Sequence, residues 1–189
     1  EGVDPMDLIA AISTGTNPTA IGIVRVSGEG CLALCNKVFR PVDANRPLPS
    51  LKGYTAAYGH VYDSEGDMDD CVALVFRAPK SYTGEDVVEL SCHGGALLTE
   101  QVLSAVLSAG ARPAAPGEFT RRAVMNGKMK LSGAEALGAL LEAKTTGQLA
   151  LSRGGLRGKL SAAHGKISQA LIYLTADMPV AYGVELVLQ

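Results

Sequence analysis

Four short patterns in this chain carry types of residue that could do chemistry. Gly28-Glu-Gly-Cys-Leu-Ala33 spells G-x-G-x-x-A after an apolar run and opens an expected helix, the setting of a dinucleotide-binding turn. The elements around it do not alternate as strand–helix–strand, because a Pro-rich stretch and a hairpin follow, so the dinucleotide reading is set aside. A phosphate-cradling loop needs G-x4-G-K-[ST]. Gly158-Lys159 has Arg153 in the first glycine position and Leu160 after it, while Gly127-Lys128 and Gly165-Lys166 are followed by Met129 and Ile167. No segment meets the pattern, and no GTP hydrolysis is expected of this chain. Cys92 and His93 are adjacent, so in a strand they point to opposite faces and cannot form a catalytic pair; His93 is expected to shape the turn at Gly94-Gly95. Cys31 and Cys35 sit four apart without the closely spaced partners of a zinc site, and His60, His93 and His164 are scattered. Reduced, partly buried thiols and no metal are expected.

Three charges resist such explanations. Arg25 lies within Gly22-Ile-Val-Arg-Val-Ser-Gly28, Glu89 within Val87-Val-Glu-Leu-Ser91, and Lys128 just past an expected helix. Counting by two puts Val24 and Val26 on the face opposite Arg25, and Val88 and Leu90 opposite Glu89. Solvated faces of edge strands compete with a functional role at this point.

The elements that must position these residues follow from the apolar spacing. Residues 8–12 and 20–26 read as two strands joined by a Thr/Gly/Asn/Pro loop, and 31–39 as a helix followed by a Pro-rich connection over 40–49. Residues 54–62 and 71–77 read as a hairpin with a polar turn at 63–67, and 87–91 as a further strand. Leu97, Leu98, Val102, Val106 and Leu107 fall on a helical period that ends at Gly110. Pro116-Gly-Glu-Phe119 opens a short helix. Ser132 and Glu135 form a capping-box pattern for a helix to about residue 144. Leu156, Leu160, Ala163, Ile167, Leu171, Leu174 and Met178 then make an apolar stripe that Gly154 and Gly155 weaken at its start. The fold class is α+β over residues 6–125, with 126–189 beginning a helical domain; residues 1–5 read as an expression leftover.

With 189 residues, 47% hydrophobic and 19% charged, the chain can bury a core. A net charge of −2 and an aromatic content of 5% without Trp speak against tight nucleic-acid binding by this segment alone. No run approaches the roughly 18 apolar residues that span a membrane, and residues 1–5 lack the basic start and apolar core of a signal peptide, so none is expected. A cytoplasmic location and no membrane contact are expected.

Three blocks stand in fixed order. They are Gly22-Ile-Val-Arg-Val-Ser-Gly28; Ser81-Tyr-Thr-Gly-Glu-Asp-Val-Val-Glu89 followed by His93-Gly-Gly95; and Pro116-Gly-Glu-Phe-Thr-Arg121 followed by Asn126-Gly-Lys128. Together with Leu131 and Ala134-Glu-Ala136 they resemble the N-terminal part of the tRNA-modifying GTPase family MnmE (TrmE), over residues 6–176 or so. Two departures are local: Thr14-Gly-Thr-Asn-Pro-Thr-Ala20 replaces a Gly-rich stretch, and Lys130 stands in an acidic position.

The resemblance implies a folate-binding, aminomethyltransferase-like domain that holds a tetrahydrofolate derivative such as the 5-formyl form and makes a homodimer. Part of an α-helical domain follows. It places the folate ligands on Arg25, Glu89 and Lys128, with no catalytic residue assigned. A pterin edge presents adjacent N–H donors that the Glu89 carboxylate can accept, and the glutamate tail and formyl oxygen call for cations. Which of Arg25 and Lys128 serves which is left open. In the family the whole protein, with the flavoprotein MnmG, adds a carboxymethylaminomethyl group to the wobble uridine of tRNA, a folate being tied to the one-carbon transfer. GTP, potassium and magnesium belong to the GTPase domain, which this chain is expected not to reach. A non-catalytic dimerisation scaffold with a vestigial pocket is the alternative.

Overall fold

The computed structural model describes residues 7–15 and 19–156. Along them run β1 (Ile9–Ile12), β2 (Ile21–Ser27), α1 (Cys31–Cys35), β3 (Phe39–Pro41), a 3-10 turn (Leu48–Ser50), β4 (Thr55–Asp63), β5 (Gly66–Phe76) and β6 (Val87–His93). Then come α2 (Ala96–Ser108), β7 (Arg112–Pro113), α3 (Glu118–Met125), α4 (Leu131–Glu142) and α5 (Thr146–Leu156). The result is a mixed structure, one seven-stranded sheet with helices, compatible with the α+β expectation.

The strands lie in the order β3-β4-β5-β6-β2-β1-β7, antiparallel except for the β1–β7 pair. Alternation decides the two faces. Val24 and Val26 of β2, Val88, Leu90 and Cys92 of β6, and Cys71, Ala73 and Val75 of β5 form the inner face. They share one core with Leu32 and Cys35 of α1 and Val102 and Val106 of α2. The outer face carries Arg25, Glu89, Ser91, Val72 and Tyr58. Cross-strand pairing sets Ala11, Arg25, Glu89, Leu74 and Ala56 in one row and Ile23, Ser91, Val72 and Tyr58 in the next.

Several expectations are corrected. Residues 31–39 are not one helix: α1 stops at Cys35, and Phe39–Pro41 is a short strand on the outer edge of β4. β5 begins at Gly66, five residues earlier than the apolar run. Its acidic stretch is held by side-chain partners, with Asp67 on Arg40, Asp69 on His93 and Asp70 on His60. The hairpin turn is correspondingly tight, with Asp63 opposite Gly66 and the Glu65 N–H donating to Asp63 Oδ1 at 2.8 Å. Ser132 is not a cap. Lys130 occupies that position with extended backbone, and its carbonyl accepts from the N–H groups of Gly133 and Ala134. The helix therefore starts before Ser132 can face its first open N–H groups.

A further helix, α5, fills residues 146–156, and it includes Gly154 and Gly155, where a weakened start was expected. α5 packs against α4. The apolar stripe from Leu160 to Met178, and residues 1–5, lie outside the described residues. Among the described residues no helix is long and apolar enough to cross a membrane.

Candidate functional site

Arg25 and Glu89 stand directly opposite each other on adjacent strands in the interior of the sheet, not at an edge. Arg25 Nε donates to Glu89 Oε1 at 3.0 Å. Arg25 is 1% exposed and Glu89 8%. The reading of these charges as solvated faces of edge strands is thereby excluded. Two aromatic rings flank the guanidinium, Tyr82 at 5.6 Å and Phe119 at 5.4 Å from its carbon to their centroids. An Arg over a ring face gains cation–π attraction that grows as water is removed. Tyr82 is in turn tied to α3 by a 2.8 Å hydroxyl contact with Thr120. The two signature blocks thus meet over Arg25.

The loop over residues 81–86 is built from its own polar side chains. Ser81 Oγ donates to the Glu85 carbonyl, the Glu85 N–H donates to Thr83 Oγ1 at 3.3 Å, and Asp86 accepts from the Ala78 N–H and from Arg77. Thr83, fully buried, meets Ser27 Oγ at 2.7 Å. Ser27 lies two residues after Arg25, on the same face of β2, so the loop is pinned to the strand that carries the site.

Behind the loop sits a denser cluster. Arg112 grips the Glu118 carboxylate with both terminal nitrogens, at 2.8 and 2.5 Å, and also pairs with Asp7. Arg122 pairs with Asp7 and Glu118 and reaches Glu85 at 3.2 Å. The Ala115 N–H adds a 2.7 Å bond to Glu118. Burial is the largest single influence on the Glu118 carboxyl and opposes its ionisation. The bonds from Arg112 and Ala115, with the Arg112 and Arg122 charges, outweigh that and hold it below the usual range. Asp7 is held low in the same way, burial opposed by Arg112 and Arg122.

Lys128 is exposed. It follows a Schellman turn at the end of α3, in which the Lys128 N–H donates to the Ala123 carbonyl at 2.8 Å and the Gly127 N–H to that of Val124 at 3.0 Å. Gly127 supplies the required φ of +70°. Asn126 Nδ2 donates to the Thr83 carbonyl at 2.8 Å, which docks the turn on the loop. Lys128 is therefore brought to the loop that is pinned beside Arg25, and all three expected residues belong to one connected assembly.

Sequence reasoning missed Tyr82, Phe119, Thr83, Ser27 and Asn126, which hold the charges in place. All five lie inside the quoted blocks, but only charge in an apolar strand drew notice. His93 directly precedes the Gly94-Gly95 turn and also reaches across to β5. It is an exposed side chain, and its Nδ1 meets Asp69 Oδ1 at 2.8 Å, a bond that raises its pKa above the ordinary histidine value. The four cysteines are free and buried, and burial pushes the Cys31, Cys35, Cys71 and Cys92 thiols up, away from reactivity. Among the described residues no three His, Cys, Asp or Glu side chains gather as a metal site. A separate concavity of about 260 Å³ lies between Ile12, Thr14, Thr99, Leu103 and Pro113. It includes none of the three charged residues and is mostly apolar, so it carries no argument for an anionic ligand.

Comparison with known proteins bears on this arrangement. The family model described as "GTP-binding protein TrmE N-terminus" matches residues 8–128. The tRNA modification GTPase MnmE of Symbiobacterium thermophilum is 49% identical over 173 residues, covering 91% of this chain and 38% of that protein. The MnmE proteins of Parabacteroides distasonis and Chlorobaculum tepidum are 41% and 44% identical, covering 92% and 87% of this chain. The chain spans 38% and 35% of those two relatives, well under half their length.

Proposed function

Because this chain belongs to the TrmE N-terminal family, we propose that it is the folate-binding and dimer-forming part of a tRNA-modifying GTPase. Its fold is then of the aminomethyltransferase-like, folate-binding kind. The observation that carries the reading is Glu89: a carboxylate buried between apolar neighbours of its own strand, with one oxygen on Arg25 and the other accepting no hydrogen bond among the described residues. Such an oxygen suits the N–H donors on the edge of a reduced pterin. Lys128, exposed, suits the glutamate tail, whose carboxylates stay partly in water. Arg25 then steadies Glu89 and faces the pterin end of the ligand. When bound, the folate supplies a one-carbon unit; the protein's residues bind and orient it.

The homodimer finds support in the outer face of the sheet, where Ile21, Val72 and Tyr58 are 56%, 41% and 53% exposed beside the site. A Val72→Asp, Tyr58→Asp double variant is expected to be monomeric by light scattering. At the level of the whole protein, the activity extends with the MnmG flavoprotein to the wobble uridine of tRNA, in the cytoplasm. Calorimetry with 5-formyltetrahydrofolate tests the central claim: stoichiometric heat from the wild type is expected. Its absence favours the vestigial scaffold.

A further inference from the structure

The loop over residues 81–86 and the Asn126-Gly127-Lys128 turn are distant in sequence and interlocked in space. Gly84 has φ +82°, and a Cβ added there would stand 2.9 Å from Lys128 Cγ, 3.0 Å from Asn126 Cβ and 3.3 Å from Lys128 Cδ. The aliphatic stem of Lys128 therefore lies across the space that the missing side chain leaves open. Asn126 Nδ2 clamps the same junction from the other side, through its 2.8 Å bond to the Thr83 carbonyl. Thr83 is fixed in turn to Ser27 on the strand of Arg25.

We propose that Gly84 and Asn126 are positioning residues that set where the Lys128 ammonium stands relative to the Arg25–Glu89 pair. The specificity this adds is one of length. A ligand is accepted when the distance from its N–H-rich edge to its anionic tail matches that span. The inference deepens the folate reading and rests on it. A flexible lysine needs such a seat: an ammonium on four methylenes loses rotamer freedom on binding unless its stem is already packed. Neither Gly84 nor Asn126 need touch ligand. Gly84→Ala would displace the Lys stem, since the Cγ it meets belongs to the side chain that can move.

The experiment uses the full 189-residue chain, 5-formyltetrahydrofolate in a calorimeter, and carbon-13 NMR of reductively methylated lysines with the Lys128 signal assigned from Lys128→Arg. Gly84→Ala and Asn126→Ala are each expected to weaken binding about two- to fivefold, part of one charge-assisted contact. In a Lys128→Ala background neither should weaken it further. The Lys128 methyl signal should shift in both variants without any folate present. Equal weakening with and without Lys128, or an unmoved Lys128 signal, overturns the proposal. Should the wild type bind no folate, the pocket reading fails, while the Lys128 signal still decides the positioning. Should Gly84→Ala not fold, owing to its left-handed backbone, Asn126→Ala decides alone.

Discussion

Glu118 and Glu89 are both buried carboxylates that face arginines, and they are completed differently. Glu118 accepts from both terminal nitrogens of Arg112, from the Ala115 N–H and from Arg122. Among the described residues, Glu89 accepts from Arg25 Nε alone. A saturated carboxylate has nothing left to offer a ligand; its cluster joins Asp7 at the chain's start, the 81–86 loop, β7 and α3 into one piece. A half-engaged carboxylate beside aromatic rings has an acceptor to spare. Burial and charge do not distinguish these two carboxylates. The count of satisfied hydrogen bonds does.

The comparison breaks most visibly at Glu118. Glu118→Ala leaves Arg112 and Arg122 sharing Asp7 without their buried second carboxylate, and a loss of about 3–5 kcal/mol in urea unfolding is expected, the scale for stripping one member from a buried ion cluster. Glu89→Ala should invert the pattern. A loss of roughly 2 kcal/mol or more in 5-formyltetrahydrofolate binding is expected by calorimetry, with a smaller change in stability. If Glu89→Ala unfolds the chain as readily as Glu118→Ala, the distinction between the two carboxylates collapses. Lys128→Ala, at an exposed position, should cost about 1 kcal/mol of binding and leave stability within about 0.5 kcal/mol.

Acid tests the saturated cluster. Glu118 and Asp7 titrate lower in the folded chain than unfolded, because the arginine bonds outweigh burial. The unfolded chain therefore takes up protons first as pH falls. Their stabilisation is complete above the ordinary Asp and Glu range and is lost as pH drops through the lowered folded values. Glu118→Gln should flatten the acid limb of a denaturation profile. The smallest effect lies at His93, whose pKa the Asp69 bond raises. Its contribution is full below the ordinary histidine value and disappears as pH rises through the raised one. An NMR titration of His93 should show a raised midpoint, and Asp69→Asn should lower it.

Much of this was written in the chain. The period-two runs fixed the inner faces of β2 and β6, since only one register buries Val24, Val26, Val88 and Leu90 together. The apolar helical spacing located α2, and Pro116-Gly117 located the start of α3. Charge inside apolar strands singled out Arg25 and Glu89 without showing that they face each other. Where side chains far apart in sequence do the holding, local pattern fell silent: the acidic start of β5 reads as loop until Arg40, His60 and His93 stand across from it. Only the tertiary structure decided that Arg25 and Glu89 are paired in the sheet's interior. It also brought Tyr82 and Phe119, 37 positions apart in sequence, to the same guanidinium, and let Gly84 make room for Lys128. The reason is physical. Propensity and periodicity act over a few residues, whereas ion pairing, ring stacking and close packing depend on distances that the chain sets only once its strands have found their order.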